Sequence, residues 1–236
     1  MLTVVMPTFN HELFVRDAID SILSQTYPNW ELIIVDDAST DSTPSILQSY
    51  ILKDRRIRVV VQLVNGGTGK ALNTGFGLSN GALETWWASD NILYPTAFEE
   101  MVQYLTLNPK CDHVYCNNEI GVMDHTGEGE LFRRNLWEEV DQTWSLPTLF
   151  NNGYFLGCVW MWKRKLRETV GPFQEEPCED YDFVLRAVEA GFTFEHLNRC
   201  LGWQRRWAGN ITNTKAKPMN ATKLVLDKSK HRRGLE

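Results

Sequence analysis

Along the first 105 residues, short apolar runs alternate with segments whose apolar residues recur every three or four positions. Leu2–Met6 is an almost uninterrupted apolar run, the pattern of a strand buried on both faces. Pro7-Thr8-Phe9-Asn10 breaks it, and Asn10 is a candidate helix N-cap. From Glu12 to Gln25, Phe14, Ala18 and Ile22 fall in one row and Val15, Ile19 and Leu23 in the next, predicting an amphipathic helix. Glu31–Val35 predicts a second strand that runs into Asp36-Asp37-Ala38-Ser39-Thr40-Asp41. Thr43-Pro44 then opens a helix with Ile46, Leu47, Tyr50 and Ile51 on one face. Ile57–Gln62 predicts a third strand, and Asn65-Gly66-Gly67-Thr68-Gly69-Lys70 leads into a helix with Ala71, Leu72, Gly75 and Phe76 inward. Leu83–Trp87 is the fourth strand, followed by the polar corner Ser89-Asp90-Asn91. Pro95 suits the first position of a helix that packs through Phe98, Met101, Val102 and Leu105.

Four such alternations imply right-handed crossovers and a parallel sheet, an α/β class whose ligands bind past the carboxyl ends of the strands. The polar segments after all four strands fall at that end, which marks a nucleotide-binding type of sheet. At Asp90 two readings stand side by side: a carboxylate for a cation or a ribose hydroxyl, or a simple Asp-Asn turn. Two common phosphate motifs are excluded. A dinucleotide GxGxxG would occupy the place of PTFN, and a GxxxxGK[ST] loop would need glycine at Val64 and a hydroxyl at Ala71. A receiver-like domain would end near residue 130.

The second half is less regular. His113–Cys116 predicts a strand, 122–130 a hairpin-like polar turn, and 152–162 is apolar and aromatic. After a turn at Gly171-Pro172-Phe173, a helix runs from the Cys178-Glu179-Asp180 stretch to Gly191, with Phe183, Val184, Ala187 and Val188 inward. Glu179, Asp180 and Asp182 in its first turn suit the helix dipole, so capping alone accounts for them. The same dipole keeps an acid ionised, as a general base requires.

Composition narrows the class. The 236 residues are 43% hydrophobic and 23% charged, ordinary for a soluble globular chain. No run approaches the ~18 apolar residues of a membrane-spanning helix, and the N-terminus lacks the basic segment of a signal peptide. A net charge of −6 argues against nucleic acid as a partner. Five cysteines, without zinc-type spacing, read as reduced thiols of a cytoplasmic protein. Trp160, Trp162, Trp203 and Trp207 either stack on sugar rings or fill a core. Residues 215–236 hold seven Lys or Arg and two acids, which reads as a solvated tail or as weak peripheral contact with an anionic membrane, at its inner face.

Five stretches, in order, resemble the family 2 glycosyltransferases, inverting enzymes of the GT-A fold that use nucleotide-diphosphate sugars. They are Val4–Asn10, Ile34–Asp41, Asn65–Phe76, Ser89–Asn91 and Glu179-Asp180, and the resemblance covers roughly residues 2–212. It implies one GT-A domain over 1–212, with a nucleotide-sugar half (1–110) and an acceptor half (111–212) around a mostly parallel sheet, then a basic tail (213–236). It also implies that Pro7, Thr8 and Phe9 line the base and ribose, and that Asp37 accepts from the N3–H of uracil. Ser89 and Asp90 take the metal and ribose site, with Asp90 on Mg²⁺ or Mn²⁺. Lys70 approaches the base or diphosphate, and Arg205 or Arg206 neutralises phosphate charge. Asp180 is the base for the acceptor hydroxyl, helped by Glu179. The expected reaction moves a sugar, from UDP by preference, to a hydroxyl of a glycan or lipid-linked acceptor. Two departures stand out: Ser89 where many relatives have a second acid, and Trp207 where a histidine is usual. They favour the alternative, a catalytically weak binder of sugar nucleotides.

Overall fold

The structure, a computed structural model, describes residues 1–122, 158–175, 178–207 and 221–234. The first half follows the predicted alternation: β1 (Leu2–Thr8), α1 (Val15–Leu23), β2 (Trp30–Asp36), α2 (Thr43–Ile51), β3 (Ile57–Val61), α3 (Thr68–Phe76) and β4 (Leu83–Trp86). Then come β5 (Ile92–Leu93), α4 (Ala97–Leu107), β6 (His113–Val122), β7 (Val159–Lys163), α5 (Arg164–Val170), α6 (Glu179–Glu189), β8 (Phe194–Arg206) and α7 (Ala221–Arg232). All eight strands form one sheet in the order β3-β2-β1-β4-β7-β6-β8-β5. The strands β3, β2, β1 and β4 are parallel, as are β6 and β8. β7 runs antiparallel between β4 and β6, and β5 antiparallel to β8, so the sheet is mixed.

Alternation along the strands builds the two core layers. Val4, Met6, Leu32 and Ile34 face one layer with Ile19 and Ile22 of α1, Leu47 of α2 and Phe98 of α4. Val5, Ile33 and Val35 face the other, with Leu72 and Phe76 of α3 and Phe183 and Leu185 of α6. Trp160 and Trp162 are buried in the second layer and Trp203 is also buried, so these three fill core rather than stack on sugars.

Several boundaries differ from expectation for identifiable reasons. Asn10 does not cap α1. It takes a left-handed backbone (φ 52) and reaches across to the next loop, donating its N–H to Ser39 Oγ (2.9 Å) and accepting from Thr40 N–H at Oδ1 (2.8 Å). The helix therefore begins at Val15 rather than Glu12. Pro95 does not begin α4, which starts at Ala97 after Thr96, because Ile92-Leu93 first pairs with β8. The described part of the basic tail is a docked helix, not a solvated strand of chain. Val225 and Ser229 of α7 are buried, and Arg232 bridges Asp182 (3.2 Å) and Glu189 (2.9 Å) of α6. The polar turn expected beyond Val122, and residues 152–157, lie outside the described residues.

His113 on β6 gives a measurable consequence of this packing. Its ring stacks on Phe194 (4.4 Å between centroids) and Trp162 (5.9 Å), and neither nitrogen meets a hydrogen-bond partner from another described residue. Burial lowers its pKa from 6.5 to about 3. The unfolded chain then binds a proton that the fold refuses, so this stability is complete above pH 6.5 and is lost progressively toward pH 3. Between pH 7.5 and pH 5 the loss is about 2 kcal/mol. Urea unfolding at both pH values should show His113→Phe removing that part of the drop; an unchanged drop in the variant would assign it to other groups.

Candidate active site

Four loops leave the carboxyl ends of β1–β4 and are stitched to one another. Asp37, just past β2, is the central knot. Its N–H donates to the Thr8 carbonyl (2.9 Å). Its Oδ1 accepts from Gln62 Nε2 (2.9 Å) and Gly66 N–H (2.8 Å), and its Oδ2 from Gly67 N–H (2.7 Å). Gly67 has φ 83, a backbone that favours glycine and turns its amide toward the carboxylate. Asp37 thus holds the glycine loop before α3, and Oδ2, with one N–H bound, keeps a second lone pair for a donor. Glu12 and the 41–43 turn cross-link as well: Glu12 N–H donates to Asp41 (3.0 Å), and Ser42 N–H to Glu12 (2.8 Å). Of the other expected donor residues, Pro7 is half-buried, Thr8 buried and Phe9 exposed. Lys70 lies exposed on the first turn of α3 with its stem over Gly66.

The corner past β4 is the second knot. Ser89, Asp90 and Asn91 are all buried. Asn91 Oδ1 accepts from Arg205 N–H (3.0 Å), which ties the corner to the end of β8. Two residues on, Trp207 donates its indole N–H to Asp90 Oδ2 (3.2 Å). Ser89 Oγ meets His11 Nδ1 at 2.7 Å. Sequence reasoning missed His11. Its signal was a titratable ring on the first strand-end loop. Burial lowers its pKa, against the pull of the Asp90 and Asp41 charges and with the push of Arg205.

Of the two arginines expected near phosphate, Arg205 is turned inward. It is 4% exposed in its side chain, pairs with Asp17 of α1 (3.0 Å), and lays its guanidinium over Phe14 (4.4 Å) and Trp203 (5.1 Å). The exposed cation at this strand end is its neighbour, Arg206.

Asp180 and Glu179 stand half-buried on the first turn of α6, and Asp180 Oδ1 accepts the Tyr181 N–H (2.8 Å). Asp182 has a different fate: it is buried and held by Arg186 (2.7 Å) and Arg232 (3.2 Å), a structural acid. The loop before α6 is seated on α3. Asn73 binds both the N–H and the carbonyl of Phe173, each at 2.8 Å. A Cβ at Gly69 would lie 1.9 Å from the Gln174 carbonyl oxygen, so only glycine permits this approach. The acids of α6 are thereby anchored through α3 to the glycine loop that Asp37 holds.

With this geometry in place, comparison with known proteins gives a family. The model of glycosyl transferase family 2 matches residues 3–165, well over half the chain. The chain belongs to glycosyl transferase family 2. The family match spans Asp37 and Asp90 and ends before α6. An uncharacterized protein, y4gI, of Sinorhizobium fredii is 28% identical over 225 residues, 92% of this chain and 24% of that protein. A putative teichuronic acid biosynthesis glycosyltransferase, TuaG, of Bacillus subtilis is 26% identical over 95% of this chain and 86% of its own length. An uncharacterized glycosyltransferase of Rickettsia typhi is 36% identical over 83% of this chain and 61% of its own. S. aureus TarS, solved in complex with UDP-GlcNAc, superposes with a TM-score of 0.69 at 20% identity, over 87% of this chain and 58% of that one. The mannosyltransferase PcManGT of Pyrobaculum calidifontis, in complex with GDP-Man and Mn²⁺, gives 0.66 at 21% identity, over 86% and 56%. These likenesses show the fold, that of the GT-A glycosyltransferases. Against several of these relatives the family 2 chain spans less than two thirds of the relative's length.

A divalent cation is tested by the donor set. Among the described residues no group of three His, Cys, Asp or Glu comes together. Asp90 is a hard oxygen donor flanked by a serine hydroxyl, which fits a cation that takes most of its ligands from phosphate and water.

Proposed function

We propose that this family 2 chain is an inverting glycosyltransferase that takes its sugar from a nucleoside diphosphate, UDP by preference. The observation that carries the reading is that Asp37 and Asp90 follow the carboxyl ends of β2 and β4, while the loop leading to the α6 acids is seated on α3, the helix whose entry loop Asp37 holds. Asp37 Oδ2 receives the N3–H of the uracil ring beside Thr8 and Pro7, while Lys70 flanks the diphosphate. Asp90 would hold the cation, which would supply positive charge to the diphosphate. Asp180 takes the proton of the acceptor hydroxyl as its oxygen bonds to the anomeric carbon. The bond from that carbon to the phosphate oxygen breaks with its electron pair, and the anomer inverts. A helix N-terminus favours an anionic carboxylate in this role. The relatives' names, one of them in teichuronic acid biosynthesis, support a glycan or lipid-linked acceptor. Among the described residues no helix is long and apolar enough to cross a membrane. The exposed Lys223 and Lys230 of α7 would provide peripheral contact between a cytoplasmic enzyme and an anionic surface.

Release of nucleoside diphosphate from UDP-, GDP- and dTDP-sugars, with Mn²⁺ and with EDTA, tests the reading. UDP-sugars with Mn²⁺ should turn over, and both EDTA and Asp90→Ala should abolish release. Full activity in EDTA would remove the cation from the mechanism. No release from any donor that still binds would make the chain a sugar-nucleotide binding protein.

A further inference from the structure

Trp207 touches the carboxylate on which the cation reading rests. Its indole N–H donates to Asp90 Oδ2 at 3.2 Å. The ring is held for this contact: it packs on Phe14 (4.8 Å between centroids) and meets the edge of His11 (6.1 Å). Backbone pairing reinforces it, because Ile92 pairs with Trp203 and Arg205 N–H bonds to Asn91, which fixes the end of β8 against the corner. Indole donates and never accepts, so it cannot ligate a cation. Its N–H presents positive charge to the same oxygen that a cation would seek, and the two compete.

We propose that Trp207 is a latch on the cation site, whose N–H holds Asp90 Oδ2 and yields only to a divalent cation arriving with a nucleoside diphosphate. A bare cation gains from Asp90 a single carboxylate in exchange for the displaced N–H. A cation carrying diphosphate brings its phosphate oxygens with it and needs only that carboxylate from the protein. The latch therefore makes cation binding obligatorily coupled to the nucleotide, and it selects against binding of metal alone. This inference rests on Asp90 being the cation carboxylate.

The test measures Mn²⁺ binding directly, by loss of the free-ion paramagnetic resonance signal, with and without UDP, on the full chain. Trp207→Phe keeps an aromatic ring against Phe14 and removes the N–H. It should bind Mn²⁺ ~10-fold more tightly with UDP and also gain Mn²⁺ binding without UDP, with UDP affinity in EDTA unchanged. Wild-type affinity in Trp207→Phe overturns the latch, while loss of Mn²⁺ binding in Asp90→Ala shows that the cation reading survives it. Wild-type Mn²⁺ binding in Asp90→Ala overturns both. If Trp207→Phe does not fold, the wild-type protein labelled with ¹⁵N-tryptophan decides. One indole N–H resonance should shift on adding Mg²⁺ with UDP and stay in place with Mg²⁺ alone; nine unmoved resonances, one per tryptophan, overturn the latch.

Discussion

Asp180→Asn should lower turnover by ~100-fold or more while UDP binding stays within about twofold of wild type. The substitution keeps the size of the side chain and its bond to the Tyr181 N–H (2.8 Å), so α6 retains its start. What it removes is the proposed proton acceptor, and general base catalysis is typically worth 10²–10⁴. Steady-state rates with saturating donor, beside calorimetric titration of UDP, separate the two effects. Near-normal turnover would dismiss Asp180 as the base and leave Glu179 to be tested. Equal losses of turnover and of UDP affinity would mark Asp180 as part of the donor site instead.

Arg167→Ala should destabilise the fold by ~3 kcal/mol, because it strips the short charged bonds from a buried carboxylate. Glu84 on β4 is fully buried. Arg167 of α5 grips both its oxygens at 2.7 Å, Ser79 Oγ (2.8 Å) and Trp162 Nε1 (3.2 Å) also donate to it, and Arg164 lies 3.6 Å from Oε1. With Arg167 gone, Glu84 must draw in Arg164 or admit water. Total stabilities of roughly 5–15 kcal/mol make that a large fraction. Urea unfolding should place the midpoint of Arg167→Ala well below wild type, and the double variant Glu84→Gln with Arg167→Met should recover most of the loss. A cost under about 1 kcal/mol in Arg167→Ala would show that water already shields the pair.

The first half was legible because its strands are buried on both faces and its helices on one. The runs Leu2–Met6 and Glu31–Val35 and the four-residue rows of α1 carry that burial in residue type alone. β8 was not legible. Its thirteen residues, FEHLNRCLGWQRR, follow no period, since its pairing with β6 shifts register near Asn117 and interrupts the alternation of faces. Two-residue β5 is shorter than any pattern can mark. In the site, the spacing of Asp37, Asp90 and Asp180 after strands or at a helix start was readable, as was the glycine loop. The contact of Trp207 with Asp90 and the pairing of Arg205 with Asp17 were not, for these partners lie 117 and 188 residues apart and meet only through the closed sheet. The tail misled for a related reason: its charges look solvated in composition, yet Arg232 finds two acids on α6.

The seating of the 173–174 loop on α3 has a mechanical meaning. One end of this nine-residue helix is gripped by the loop that Asp37 holds, and its flank carries Phe173 and Gln174, whose chain continues into Cys178 and α6. α3 is thus the common gauge block between Asp37 and the acids of α6, the two ends of the proposed site. Wedging a side chain into the gap at Gly69 would move one against the other without altering either set of residues. The spacing between them is toleranced by a glycine.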